Sequence, residues 1–203
     1  FIGDNAGTAN TTASNNTVVG ASALAANTTG TSNVAVGKEA MLTNTTGANN
    51  TAIGKDSLRL NTTGAGNTVL GHNALESNTT ASNNVAIGKD SLKANTTGAS
   101  NVAVGYEAGK DLTTGSNNVF VGREVGLEAT TGGTNTAIGH QSYSAGSASA
   151  ATGSNNVAVG YAALYKATTA DSNVAIGQYA MLENTTGNTN IAIGNYALDA
   201  NTT

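Results

Sequence analysis

The sequence predicts an all-β fold, a parallel β-solenoid of 17-residue coils, on three observations. A short motif closed by glycine, typified by Asn84–Gly88 (NVAIG), recurs along the whole chain. Its glycines are Gly3, Gly20, Gly37, Gly54, Gly71, Gly88, Gly105, Gly122, Gly139, Gly160, Gly177 and Gly194, and every step is 17 residues except the 21 from Gly139 to Gly160. A fixed period over the full length is the mark of a repeat architecture. The aliphatic residues return at one phase of that period, and turn-forming Asn and Gly return at another.

The elements follow in order if each motif glycine is position 0. Position −1 is always aliphatic (Val36, Ile53, Ile87, Val104), position −3 is Thr or a β-branched aliphatic (Val34, Thr51, Val85), and position −2 is mostly Ala. Such alternation reads as a short strand with −1 and −3 on one side and −2 on the other. The glycine then turns the chain, because only Gly enters positive φ without penalty. Positions +3 and +4 carry a second apolar pair (Ala23-Leu24, Ala40-Met41, Ala180-Met181), expected to form a second short strand or a tight extended segment. An NTTG turn follows at residues 27–30, 44–47, 61–64, 95–98 and 184–187. Seventeen residues are too few for a helical hairpin, and two glycines per period with abundant Thr and Asn disfavour any helix.

On this reading −1 and −3 fill the coil and −2 faces outward. The small residues Ala35, Ala52, Ala86, Ala103, Ala137, Ala158, Ala175 and Ala192 would let another backbone approach closely, a candidate subunit interface, with Phe120 intruding in that stripe. Position −4 is Asn in all eleven full motifs: Asn16, Asn33, Asn50, Asn67, Asn84, Asn101, Asn118, Asn135, Asn156, Asn173 and Asn190. Stacked about 4.8 Å apart, these amides are expected to form a structural ladder. Eleven steps at that spacing make a rod on the order of 50 Å long.

Composition bounds the rest. Leu, Ile, Val and Phe are only 35 of 203 residues, a level that warns of disorder, but the formal charge is just −4 and the aliphatics are periodic. With no Cys there is no disulfide framework. Mild acidity and scarce Lys and Arg argue against nucleic-acid binding. No apolar run reaches the roughly 18 residues of a membrane span, so direct membrane insertion is not expected. The chain starts inside a motif and stops mid-repeat, so residues 1–203 are expected to be one solenoid domain cut from a longer fibre, with a four-residue insertion between 139 and 160.

At NVAIG and the following Ala/Ser–Leu step, the chain resembles the head repeats of YadA-type trimeric autotransporter adhesins. It is similar also to the NTTG…NTAIG…AL repeats of bacteriophage tail fibres. The resemblance covers essentially all of the chain and rests on eleven in-phase copies of a short, degenerate motif. It implies a left-handed parallel β-roll, association of three chains about a common axis, and an extracellular location on a virion or a bacterial surface. The period departs from that of the adhesin heads, which run nearer 14 residues. The stretch 142–153 (SYSAGSASAATG) comes closest to the shorter repeat.

A search for chemistry finds little. His72 and His140 lie four coils apart, so they cannot share a metal within one chain. No Ser/His/Asp set suggests itself, and no cofactor is expected. Acids at +2 (Glu39, Asp56, Asp90, Glu107, Glu124) stand beside Lys or Arg at several +1 positions and read as a solvated edge. Asn27, Asn44, Asn61, Asn78, Asn95 and Asn184 match the glycosylation sequon, which turn chemistry explains more simply. All six tyrosines fall in the second half. The insertion is expected to bulge outward, as insertions in solenoids do. It would gather His140, Tyr143 and Tyr161 into a surface-contact region over residues 140–153.

The expected function is therefore a non-enzymatic, homotrimeric fibre segment for attachment, with a cell-surface glycan or protein as receptor. A structural shaft without a ligand is the alternative. An ice-binding solenoid fits less well, because Thr28 and Thr29 are adjacent and would point to opposite sides of an extended chain. A glycan-degrading enzyme would need paired carboxylates on a groove, and the +2 acids are better read as surface charge.

Overall fold

A computed structural model describes residues 1–147 and 150–203. Among them are eleven strands of three residues, from Thr17–Val19 to Ile191–Ile193, in one parallel sheet whose spatial order is the chain order. Each strand pairs with the equivalent strand one coil on: Val34 with Thr51, Ala35 with Ala52, Val36 with Ile53. The insertion does not disturb this register, for Ala137 pairs with Ala158 across the longer step. The fold is an all-β parallel solenoid with 17-residue coils, as its periodicity predicts.

Each coil contains one strand, not two. The segment after the motif glycine is a run of turns, and positions +2 and +4 adopt left-handed backbone, for example Glu39 (φ 57°) and Met41 (φ 52°). This alternation still yields a ladder between coils. Gly37 N–H donates to Val19 O at 2.8 Å and Glu39 N–H to Ala21 O at 2.9 Å, both on the preceding coil. Met41 N–H then donates to Ser57 O at 3.0 Å and Thr43 N–H to Arg59 O at 3.1 Å, both on the following coil. Stacking satisfies the amides that an extended strand would have satisfied, while the path bends tightly enough to close a small coil.

The motif glycine is required by its neighbour as well as by its dihedral angle. Gly88 has φ 129°, and a Cβ there would stand 2.6 Å from the carbonyl carbon of Gly105. Backbone therefore lies on backbone at this corner from coil to coil.

The interior is the reverse of the expected one. Ala35, Ala52, Ala86, Ala103, Phe120, Ala137, Ala158, Ala175 and Ala192 face inward with the +3 and +4 residues, and together they are the core. Ala35, Ala40 and Met41 are all 0% exposed. The β-branched residues at −1 and −3 face outward; Val34 and Val36 are half-buried, while Ile53 and Leu70 are exposed. The reason is volume. A coil this tight leaves room opposite the +4 Leu or Met for a methyl group but rarely for more. Alternation fixed which residues share a side; side-chain size decides which side is in.

Where position −2 is large, +4 gives way. A Cβ on Gly126 would lie 3.0 Å from the Phe120 ring, and one on Gly109 would lie 2.7 Å from it. Phe1, also at −2, crowds Gly7 in the same way, with ring carbon Cδ2 2.6 Å from a built Cβ. One coil beyond Phe120, Tyr143 takes the +4 site and stacks on that ring, centroids 6.5 Å apart.

Two columns of asparagine run through the stack. At −4, Asn50 N–H donates to Asn33 Oδ1 at 3.0 Å, and Asn50 Nδ2 donates to Gly64 O at 2.9 Å. Direct amide-to-amide bonds join some rungs, such as Asn67 Nδ2 to Asn50 Oδ1 at 3.1 Å. The second column is formed by the Asn of NTTG. Asn44 Nδ2 donates to Asn27 Oδ1 at 2.9 Å and to Gly47 O at 3.0 Å, and Asn61 and Asn78 repeat the pattern. The sequence pattern marks these residues as turn formers and sequon matches but not as a ladder. Buried amides must be paired, and a column of identical amides pairs itself. It ends where the next rung is Leu112, leaving Asn95 Oδ1 buried without a partner.

Candidate contact surfaces

The stack presents three kinds of surface. The first is the outward face of the sheet. Positions −1 and −3 place two parallel columns of Val, Ile, Leu and Thr along the rod, with Val19, Ile53, Leu70, Ile138 and Ile176 among the exposed large apolar residues. The Ala stripe proposed from sequence as the subunit interface lies inside the chain and is not available to a partner.

The second surface is the edge at +1 and +2. In the coils from Gly37 to Gly122 it is mostly charged. Lys38 pairs with Glu39 at 3.3 Å, Lys55 with Asp56 at 2.9 Å, Lys89 with Asp90 at 2.9 Å and Arg123 with Glu124 at 2.6 Å. Burial pushes the Asp90 carboxyl up, but hydrogen bonds from Lys89 and Asn73 and the nearby Lys93 outweigh it and hold its pKa below the usual value. Tyr106 sits in this half with Lys89 Nζ 5.3 Å and the Arg123 guanidinium carbon 5.9 Å from its ring centroid.

From Gly139 onward the same edge changes character. Its residues are His140-Gln141, Tyr161-Ala162, Gln178-Tyr179 and Asn195-Tyr196, with no Asp, Glu, Lys or Arg. Successive ring centroids lie 5.4 Å apart from His140 to Tyr161, 5.1 Å from Tyr161 to Tyr179 and 5.0 Å from Tyr179 to Tyr196. Hydrogen bonding to Tyr179 raises the Tyr161 phenol above its ordinary pKa. At the boundary with the charged half, Gln141 Nε2 donates to Glu124 Oε2 at 3.0 Å. His140 Nε2 lies 3.6 Å from the same oxygen, too far for a hydrogen bond.

The insertion is the third. The expected cluster of His140, Tyr143 and Tyr161 does not form as a unit. His140 and Tyr161 meet on the edge, but Tyr143 is 0% exposed and fills the core. Its hydroxyl donates to Gly153 O at 2.5 Å, and burial pushes the phenol well above its usual range. At +4 a side chain points into the coil whatever its type, which the sequence reading overlooked. The extra residues come after that position: a short 3-10 turn at Ala145–Ser147 precedes the bridge between Ala151 and Ala129. Gly146 packs against Tyr165 and Lys166 on the +5/+6 side, away from His140. Ala148 and Ser149, part of the expected contact region, lie outside the described residues.

Beside the insertion, Ser144 Oγ donates to Glu128 Oε2 at 2.8 Å. Burial raises the Glu128 pKa, the Ser144 bond opposes this, and Asp111 adds to the rise. Among the described residues no group of three or more His, Asp or Glu could hold a metal ion, and no enclosed pocket is present. Among them also, no helix is long and apolar enough to cross a membrane.

The sequon asparagines Asn27, Asn44, Asn61, Asn78, Asn95 and Asn184 are all 0% exposed. In Asn44, Asn61 and Asn78 the Nδ2 atom that would carry a glycan makes two hydrogen bonds. The first Thr of NTT is engaged too, Thr28 Oγ1 donating to Thr45 O at 3.1 Å and Thr45 Oγ1 to Thr62 O at 3.0 Å. Comparison with family models, curated proteins and solved structures found no match.

Proposed function

We propose that the chain is a non-enzymatic segment of an extracellular attachment fibre, a left-handed roll whose copies associate in threes through the outward sheet face. The observation that carries this reading is the unbroken column of aliphatic side chains at −1, flanked at −3 by a column of Val and Ile interrupted by Thr17, Thr51, Thr68 and Thr136. From strand rise and spacing its area is on the order of 400 Å². That is the size of the largest apolar patch on a typical monomer, about 300–600 Å², which is often functional. The face is also straight and periodic, so an identical face can pair with it rung by rung. Three copies, the left hand and the setting on a virion or bacterial surface come from the resemblance of the repeats to adhesin heads and tail fibres.

Light scattering on the intact chain tests the association. A mass of three chains is expected for the wild type, and a fall towards one chain is expected when Ile87 and Val104 are both replaced by Glu. A monomeric wild type at micromolar concentration overturns the reading. The second reading is a shaft that only spans distance, favoured by the unbroken 17-residue period from Gly37 to Gly122. Adherence of the purified trimer to cells or particles separates the two, since a shaft adheres to neither.

A further inference from the structure

We propose that the edge of the last four coils, formed by His140, Tyr161, Tyr179 and Tyr196 with Gln178 and Asn195, is a binding platform for an extended, uncharged polysaccharide. Four observations bear on it. The rings form an unbroken strip with steps of 5.4, 5.1 and 5.0 Å. Tyr161 is 40% and Tyr196 50% exposed, His140 and Tyr179 are half-buried beside and between them, and Gln178 and Asn195 are exposed. These eight edge positions carry no formally charged side chain, whereas those of the preceding coils mostly do. Tyr106 on the charged half has cations at its ring, so an exposed tyrosine on this edge does not by itself make an aromatic strip.

Each observation selects for the same ligand chemistry. Aromatic rings offer broad apolar area with a hydroxyl at the tip, suited to the C–H faces of pyranose rings. Amide side chains donate and accept at once, which matches pairs of neighbouring hydroxyls. An edge without ionised groups binds a neutral ligand without stripping water from a charge. The spacing matters most: one ring per coil, tilted to the next by 56°, 81° and 38°, offers a row of ring faces and edges, and an extended sugar chain advances by about one rung per ring. A second copy of this chain is the weaker occupant, because the apolar face able to pair with itself lies at −1 and −3, not here.

The inference rests on the attachment reading for its purpose but is tested separately from it. The intact chain is titrated with cellohexaose, chitohexaose, laminarihexaose and β-mannohexaose, and with an oligogalacturonate as the charged control. With no Trp in the chain and three of its six tyrosines on the strip, tyrosine fluorescence follows binding, and calorimetry gives the affinity. Saturable binding of at least one uncharged hexasaccharide, tighter than the oligogalacturonate, is expected. Tyr179→Ala should weaken it about tenfold, Tyr161→Ala/Tyr179→Ala should abolish it, and Tyr106→Ala should leave it unchanged. Circular dichroism and light scattering verify that these surface variants remain folded and assembled. Failure of all four uncharged sugars to bind, or binding indifferent to the double variant, overturns the platform. Loss of sugar binding in the double variant with adherence to cells retained supports the platform and places attachment on another surface. Sugar binding by a chain that adheres to no surface supports the platform and sinks the attachment reading instead.

Discussion

Phe120 and Gly126 occupy what is elsewhere one residue's space: a Cβ on Gly126 would stand 3.0 Å from Phe120 Cε1 and Cζ. Gly109, one coil earlier, yields to the other side of the ring. The ordinary coil solves the same volume with Ala at −2 and Leu or Met at +4. Phe120→Ala alone should therefore leave a cavity and cost about 3–5 kcal/mol. Phe120→Ala/Gly109→Leu/Gly126→Leu should recover most of that loss, since Leu58 and Leu92 already adopt the required positive φ. Denaturant titration of the wild type, Phe120→Ala, Gly109→Leu/Gly126→Leu and the triple variant measures the coupling; additive losses would contradict the packing described.

The Asn column gives a prediction in which one position serves as control for another. Asn61 Nδ2 donates to Asn44 Oδ1 and Gly64 O, and Asn61 Oδ1 accepts from Asn78 Nδ2. Asn61→Leu strands buried partners on two neighbouring coils and should cost roughly 2–4 kcal/mol. Asn95 ends the column with an unpaired Oδ1 and holds Asn78 at 3.5 Å. Asn95→Leu, which places a second Leu before Leu112, should cost clearly less. Equal losses by chemical denaturation would mean that the column carries no cooperative stability.

The inverted core can be tested on one strand. Ala86 is buried and Ile87 faces out. Ala86→Leu should overpack the coil and cost about 1–3 kcal/mol in a variant that does not associate. Ile87→Ala should cost the isolated chain little, within about 0.5 kcal/mol, while weakening self-association. The opposite ranking would restore the arrangement that alternation alone suggests.

Two carboxylates should pull the pH dependence of stability in opposite directions. Burial raises the Glu128 pKa above its unfolded value, so the folded state binds more protons and stability falls as pH rises through that interval. Glu128→Gln should raise the melting temperature at pH 7 and change it little at pH 3. For Asp90, burial is outweighed by Lys89, Asn73 and Lys93, and the pKa is lowered. Its contribution is present above the ordinary Asp pKa and lost as pH falls, so Asp90→Asn should be destabilising at pH 7 and nearly neutral at pH 2. Melting curves at both ends of the range check both signs.

Much of the architecture was legible in advance because a period is visible without any structure. The spacing of Gly20 from Gly37 sets the register of Val18 on Ala35, and the structure adopts it. Three things were hidden. Alternation at Val85-Ala86-Ile87 assigns sides but not inside and outside, which depend on the cross-section of the closed coil. The left-handed backbone at Glu39 and Met41 contradicts the preferences of those residue types and is imposed by stacking. Tyr143 looked like a surface residue because of its type, yet its phase in the coil, the same as Leu58 or Met181, places it in the core. The aromatic strip lay half in view, since Tyr161 and Tyr196 were visible at the edge, but the change from +1 to +2 between Tyr161 and Tyr179 concealed that their rings meet.

The left-handed residues have a consequence for growth. Most coils place three non-glycine residues at positive φ, Glu39, Met41 and Asn49 or Asp90, Leu92 and Ser100 among them, each disfavoured by roughly 1–2 kcal/mol in an isolated chain. A lone coil has no neighbour to receive the amides that this geometry aims up and down the axis. The conformation is therefore one that a finished coil can hand to the next but that no free segment adopts unaided. Such a rod should lengthen from an existing end, as a crystal grows from a seed. A short excess of folded coils added to unfolded chain should then shorten the lag before structure appears.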